Sequence, residues 1–219
     1  MLMDIVIVGA GGHGKIVLEI LRLKGEHRVV GFVDADPTLE GQTVAGLPVL
    51  GSAGALGKLK GKVKGAIVAI GDNRTRSAYA QKLRLQGLSL VSAIHPAAIV
   101  SSAARLGNNI VIAAGATVCT DTQVGDLSII NTGAVVDHEC MIGEAAHVCP
   151  GALLAGRVTL ETGVFVGLGA KVIQCLSIGA WSTIGAGAVI LRDVPAGVTV
   201  VGVPGRVIAS ASTPGQAAA

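Results

Sequence analysis

From Ile94 onward the chain keeps an aliphatic residue at every sixth position. Ile94, Val100, Leu106, Ile112, Val118, Val124, Ile130, Val136, Ile142, Val148, Leu154, Leu160, Val166, Val172, Ile178, Ile184 and Ile190 form one register without a break. A second period of 18 rides on the first. Gly-Ala recurs at 115, 133, 151, 169 and 187, and Gly follows the aliphatic residue at 107, 125, 143 and 179, with Glu161 as the exception. Six residues per side and 18 per coil describe a triangular prism in which each coil stacks on the last. The aliphatic side chains point inward and form ladders between coils about 4.8 Å apart. The Gly-Ala steps suit corners, where the backbone turns sharply and Gly tolerates positive φ.

Residues 1–93 follow a different pattern, alternating strand and helix signals. Ile5–Val8 reads as a strand before a Gly-rich turn, and Lys15–Lys24 as a helix through Ile16, Ile20 and Leu23. Val29–Val33 and Ala66–Ile70 read as further strands, Thr75–Gln86 as a helix and Leu88–Ile94 as a short strand. That order predicts a small parallel sheet with crossover helices. The chain therefore divides into an α/β unit over 1–93, a β solenoid over 94–192, and a cap over 193–210 that leaves the solenoid at Pro195 and Pro204. The small, polar composition of 211–219 predicts a disordered tail.

Composition fits this division. Half of the 219 residues are hydrophobic, yet only Phe32, Tyr79, Phe165 and Trp181 are aromatic, while Gly numbers 32. A narrow prism bore has no room for rings. A mean hydropathy of +0.67 raises the question of a membrane. Charged or polar residues interrupt every long apolar run, so no spanning helix is predicted. Met1–Gly12 carries Asp4 and lacks a basic start, so it does not read as a signal peptide. The net charge of +3 comes without the basic blocks that nucleic acid binding uses. Cys119, Cys140, Cys149 and Cys175 form no CxxC pair, which favours a reduced, cytoplasmic setting.

Two regions carry candidate chemistry. Gly9-Ala10-Gly11-Gly12-His13-Gly14 follows a strand and opens a helix, and Asp34 ends the next strand. This is the context of a dinucleotide fingerprint. A dehydrogenase reading fails because the sheet stops after about four strands, with no second half to hold a nicotinamide. Half of such a fold can hold a nucleoside diphosphate carrying a sugar, its pyrophosphate at the helix N-terminus and its ribose or base at Asp34. A purely structural turn is the alternative, and His13 and Lys15 beside the glycines favour an anionic ligand over it. Gly71-Asp72-Asn73, with Arg74 and Arg76, falls on the same carboxyl edge of the sheet. The arginines read either as ligand contacts or as solvated charges at a helix start.

The second region is in the solenoid, at Asp137-His138-Glu139-Cys140 and His147. Both histidines flank inward valines and should face outward. A carboxylate beside His138 suits a general base; an ordinary surface histidine is the alternative. His27 reads as a surface residue and His95 as structural. Some hexapeptide trimers that resemble carbonic anhydrases hold zinc with three histidines, two of them five apart on one coil; neither solenoid histidine has a second His five residues later, so that ligand set is rejected.

With the C-terminal Val201-Gly202-Val203-Pro204-Gly205, these motifs resemble the bacterial sugar O/N-acyltransferases grouped with sialic acid O-acetyltransferase. The similarity is greatest to nucleotide-amino-sugar N-acetyltransferases of the bacillosamine and perosamine type. The resemblance covers essentially the whole ordered chain. It implies a Rossmann-like βαβ domain before a left-handed parallel β-helix of hexapeptide repeats, the hand coming from the resemblance and not from the spacing. It implies His138 as catalytic base tuned by Glu139, and His147, Gly156, Leu168 and Ala186 as acetyl-CoA contacts. Gly11, Gly12, His13, Asp34, Ala35 and Gly71 match the nucleotide-sugar contacts. Ala35 departs from a frequent second acid, and Ala186 from a frequent Gly.

The expected reaction is acetyl transfer from acetyl-CoA to the amine of a UDP- or dTDP-linked 4-amino sugar. Acetylation of a hydroxyl of sialic acid or another sugar is the alternative enzyme reading. A non-catalytic nucleotide-sugar-binding solenoid is the alternative of another class. Outward Val111, Ile129 and Val135 would leave a monomer's prism faces apolar, which predicts a homotrimer. His138 and His147 are nine residues apart, half a coil, so active sites are expected at subunit interfaces.

Overall fold

The computed structural model describes residues 2–52, 54, 61 and 63–210, so the expected disordered tail lies outside the described residues. The N-terminal unit runs β1 (Met3–Val8), α1 (Gly12–Lys24), β2 (His27–Val33), the hairpin β3 (Thr43–Val44) and β4 (Leu47–Pro48), β5 (Gly65–Val68), α2 (Asn73–Leu85) and β6 (Ser89–Leu90). Its four-stranded sheet has the order β2-β1-β5-β6, and every pair is parallel. Ile5, Val6, Ile7 and Val8 are all buried, as expected of a parallel strand covered on both faces.

Both helices begin earlier than the apolar pattern indicates. A Cβ on Gly14 would come within 2.0 Å of the Gly9 carbonyl oxygen, so only glycine lets the helix start inside the turn. Helix α1 ends at Gly25, whose φ of 64° places it in the left-handed region. Helix α2 starts at Asn73 because Asp72 is its N-cap and accepts a hydrogen bond from the Thr75 N–H at 2.8 Å.

From Ala93–Ile94 the chain forms three parallel ladders. The first face stacks Ala93–Ile94, Val111–Ile112, Ile129–Ile130, His147–Val148, Phe165–Val166 and Thr183–Ile184. The second face runs from Ile99–Val100 to Val189–Ile190, and the third from Arg105–Leu106 to Ser177–Ile178. Strands pair in an 18-residue register, as in Val118 with Val136 and Ile142 with Leu160. The second residue of each pair lines the bore, where Ile112, Ile130, Val148, Val166 and Ile184 are fully buried.

Two expectations need correction. Val111 and Ile129 do point out of the prism, but they are not exposed. They join Ile7, Val17 and Ile20 in one buried cluster, because the N-terminal domain lies on the first face. Exposure of these two residues therefore gives no ground for a trimer. The cap also does not leave the solenoid at Asp193. Val198–Val201 pairs in parallel with Thr183–Ile184 and extends the first face, before Arg206–Ser210 folds back antiparallel.

Candidate functional site

The glycine-rich turn, the end of β2 and the loop after β5 enclose a cavity of about 440 Å³. Gly11, Gly12, His13, Asp34, Ala35 and Gly71 all line it, with Thr75 and Tyr79 from α2. The Asp34 carboxylate accepts hydrogen bonds from the Ala10 N–H at 2.7 Å and the Asp36 N–H at 3.0 Å. It therefore ties the turn to β2 as well as facing the cavity. A Cβ on Gly11 or Gly12 would meet nothing within 4 Å, so their bare surfaces face open space.

The expected cationic pair is absent from this cavity. Lys15 is not among the residues that line it; it lies instead beside Leu18, Glu19 and Arg22 in a separate shallow depression. His13 does line the cavity. Burial, helped by the charge of Arg76, lowers its pKa to about 4, so the imidazole is neutral at pH 7 and can offer hydrogen bonds but not charge. Its Nε2 is buried without a partner.

Arg76 is neither solvated nor a ligand contact, as the chain pattern had suggested. It is fully buried and joins the two domains. Its guanidinium donates to the carbonyls of Leu127 (2.7 Å) and Ala145 (2.9 Å) in the solenoid, to those of Ile70 (2.8 Å) and Gly71 (3.0 Å) at the cavity rim, and to Asn73 Oδ1 (2.6 Å). Asn73 in turn donates to the Gly163 carbonyl at 3.0 Å. Asn109 exchanges hydrogen bonds with the Val68 backbone, and Arg74 stacks on Trp181 at 4.1 Å from the ring centroid. Among the described residues, no carboxylate lies within salt-bridge distance of Arg76; its hydrogen-bond partners are carbonyls and the Asn73 amide oxygen, with the Asp72 charge acting from further off.

His147 belongs to this junction. It points out of the first face, but the N-terminal domain leaves it only 7% exposed. Asn131 Nδ2 lies 3.2 Å from its Nε2, and its Nδ1 lies 3.3 Å from the Gly71 carbonyl. An amide donor at Nε2 places the ring proton on Nδ1, toward Gly71. Burial lowers its pKa to about 4, with Arg76 and His13 adding to the effect. Both ring nitrogens thus have partners inside the chain, one of them the carbonyl of cavity-lining Gly71. The side chain points outward as expected, but it is buried beneath the N-terminal domain.

His138 stands at the turn between the second and third faces, 44% exposed. Its Nδ1 donates to Glu139 Oε2 at 2.9 Å, which leaves Nε2 as the acceptor. Asp137 Oδ1 accepts from the His138 N–H at 2.7 Å and holds the turn. Gly156 lies one coil further along the same corner. A Cβ there would fall 2.3 Å from His138 Nε2, so glycine makes room for the ring. The pairing with His138 lowers the Glu139 pKa first, and the charge of Arg157 adds to it.

The predicted site residues fall into three places. The six nucleotide-sugar candidates share the cavity on the first face. His138, Glu139 and Gly156 share the corner between the second and third faces. Leu168 and Ala186, both exposed, stack at the corner between the first and second faces. Because a corner of a triangular prism lies opposite the remaining face, one chain alone holds His138 and the cavity on opposite sides. Sequence reasoning missed Thr75, Tyr79 and Arg157. Thr75 and Tyr79 are four apart on α2 and so share one helix side. Arg157 is 18 residues after Glu139, the spacing that already related Gly156 to His138.

A parallel half-sheet with a glycine-lined cavity, set on a hexapeptide prism that carries a histidine–carboxylate pair at an exposed corner, is the architecture of an acyltransferase of the hexapeptide-repeat class. The family model described as the PglD N-terminal domain matches residues 4–83. PerB from Caulobacter crescentus, crystallised with CoA and GDP-perosamine, is 46% identical with a TM-score of 0.90, covering 95% of this chain and 99% of that one. The acetyltransferase domain of PglB from Neisseria gonorrhoeae FA1090, crystallised with acetyl coenzyme A, is 36% identical with a TM-score of 0.88, covering 95% and 100%. A UDP-N-acetylbacillosamine N-acetyltransferase of Bacillus subtilis (strain 168) is 37% identical over 116 residues; the match spans 51% of each chain, about half the length of that curated relative. The chain belongs to the bacterial sugar N-acetyltransferases of the hexapeptide-repeat superfamily.

Among the described residues, no helix is long and apolar enough to cross a membrane, and no group of three or more His, Cys, Asp or Glu could hold a metal ion.

Proposed function

We propose that the protein transfers the acetyl group of acetyl-CoA to the amine of a nucleotide-linked 4-amino sugar, with His138 as general base, in the cytoplasm. The observation that carries this is the His138–Glu139 pair. Nδ1 is committed to a carboxylate and Nε2 is left as acceptor, on an exposed corner that Gly156 keeps clear. The neutral amine attacks the thioester carbonyl carbon, the C–N bond forms, and the C–S bond breaks. His138 Nε2 takes the amine proton, and the departing thiolate is protonated in turn. The cavity around Gly11, Gly12, Asp34 and Gly71 holds the nucleotide, and neutral His13 supplies a hydrogen bond to the bound substrate.

The reading requires more than one subunit. One chain holds the cavity and His138 on opposite sides of the prism, so the sugar bound by one subunit meets the base of the next. A homotrimer supplies three such shared sites. Ile99 and Leu153 on the second face, with Leu168 at its edge, are exposed apolar residues that such packing would cover. Gly156, Leu168 and Ala186, at two different corners, would then line the pantetheine arm from two subunits. His147 would join them as an acetyl-CoA contact, and its Nδ1 also braces the Gly71 carbonyl.

Support for the substrate class comes from the relatives. PerB was crystallised with CoA and GDP-perosamine, and two further structures of that protein carry a histidine replaced by Asn or Ala. The carrier nucleotide is read as UDP or dTDP, with GDP included in the test. Thiol release from acetyl-CoA is measured against UDP-, dTDP- and GDP-linked 4-amino sugars and free sialic acid. Release with an amino sugar, cut by about 10²–10⁴ in His138→Ala, is the expected result. Release only with sialic acid supports hydroxyl acetylation instead. Undiminished turnover in His138→Ala overturns the base.

A further inference from the structure

We infer that Arg157 is a positioning residue for the His138–Glu139 pair: it holds the Glu139 carboxylate against His138 Nδ1 and so keeps Nε2 free to accept the proton. The inference rests on the reading of His138 as the base, and adds a group that the sugar and coenzyme need not touch.

Stacking comes first. Arg157 follows Glu139 by one coil at the same corner, and its backbone N–H donates to the His138 carbonyl at 2.9 Å. The guanidinium Nε lies 3.2 Å from Glu139 Oε2, the same oxygen that accepts from His138 Nδ1 at 2.9 Å. One carboxylate oxygen is therefore held between an imidazole and a guanidinium. Neither contact is bidentate, so without Arg157 the carboxylate is free to rotate about its own side chain and leave the imidazole.

Backbone geometry limits how this corner can be built. Glu139 (φ 58°) and Arg157 (φ 60°) both occupy the left-handed region that favours glycine. At the corner between the first and second faces the equivalent places are Gly115, Gly133, Gly151, Gly169 and Gly187. The corner with the base instead keeps two charged side chains of opposite sign, in register and one coil apart.

Asp137 precedes His138 in the chain and Asp121 stands one coil before Glu139 in the same ladder, so this corner carries acids besides the Glu139 carboxylate. Arg157 is the cation in contact with it. A guanidinium stays charged throughout the neutral range, so it keeps Glu139 ionised and oriented while His138 gains and loses its proton.

The test is a kinetic double-mutant cycle with acetyl-CoA and UDP- and GDP-linked 4-amino sugars as acceptors. Both partners are more than half exposed, so the expected loss is modest. Arg157→Ala should lower kcat by about two- to fivefold, with KM for acetyl-CoA unchanged. Arg157→Lys should recover part of it. In a Glu139→Gln background Arg157→Ala should cost nothing more, because its target is already gone. Wild-type kcat in Arg157→Ala, or an additive loss in the Glu139→Gln background, overturns the inference. So does a raised KM for acetyl-CoA in both backgrounds, which would make Arg157 a contact for the coenzyme's anionic groups. His138→Ala is run in parallel. Full turnover there removes the base itself, whereas a collapse there with an additive Arg157 effect removes only the role given to Arg157.

Discussion

Replacing Arg76 with Met tests whether a buried cation joins the glycine-lined cavity to the solenoid. Methionine has a similar reach and no donors. The change leaves the buried Leu127 and Ala145 carbonyls and Asn73 Oδ1 without the partner they have in the native chain, and the part-buried Ile70 carbonyl as well. The Gly71 carbonyl keeps only the 3.3 Å contact to His147. Three buried acceptors without partners cost about 3–9 kcal/mol gross. Relief from holding a desolvated guanidinium offsets several kcal/mol of that, leaving a net loss of about 2–4 kcal/mol. For a chain of this size that lowers the melting temperature by about 5–15 °C. Calorimetry reads the shift. Nucleotide binding, followed by titration calorimetry with UDP and GDP, should weaken as well, because the Gly71 rim loses its support. A Tm within about 2 °C of wild type, with unaltered nucleotide affinity, would refute the bridging role and make Arg76 a replaceable core residue.

Three further outcomes follow from the same geometry. Gly156→Ala should cut turnover about 100-fold, as for a base displaced by about 1 Å, because the added Cβ would lie 2.3 Å from His138 Nε2; the residue has no positive φ, so the fold should tolerate alanine, and normal turnover contradicts the assigned ring position. His13 and His147 have folded pKa values lowered to about 4 from 6.5, so their stabilising contribution is complete above pH 6.5 and is lost as pH falls from 6.5 toward 4. The upper limit is about 3 kcal/mol each, and denaturant titrations across that window should show the loss, reduced in His147→Gln; a flat profile contradicts two neutral buried rings. Co-refolding inactive His138→Ala with inactive Asp34→Ala should restore part of the activity, since some interfaces join an intact cavity to an intact base; mixed oligomers as inactive as the parents contradict the shared site.

The solenoid was legible because its code is local and repeated. An inward aliphatic at every sixth position cannot slip without exposing a whole ladder, so register and pairing follow directly. The place of the cavity was legible too, since the Gly-rich turn, Asp34 and Gly71 all lie at carboxyl ends of parallel strands. What one chain's pattern could not show was which prism face the N-terminal domain covers. Val111, Ile129 and His147 were read as outward, which they are, but outward was equated with exposed. Arg76 was misread for a related reason. A charged residue four places after an Asp N-cap looks like a solvated helix start, and only the tertiary packing that brings the Leu127 and Ala145 carbonyls to it makes its burial possible. Arg157 could have been found by extending the 18-residue spacing from Gly156 to its neighbour.

The central claim is amide formation on a nucleotide-linked sugar. Its most direct measurement is the product itself: incubate the protein with isotopically labelled acetyl-CoA and a nucleotide-linked 4-amino sugar, then determine by mass spectrometry and NMR where the label resides. The account predicts one acetyl group per sugar on the amine nitrogen, stable to mild hydroxylamine, formed by wild type and lost in His138→Ala. Label on a hydroxyl as a hydroxylamine-sensitive ester, or equal product from His138→Ala, would contradict it.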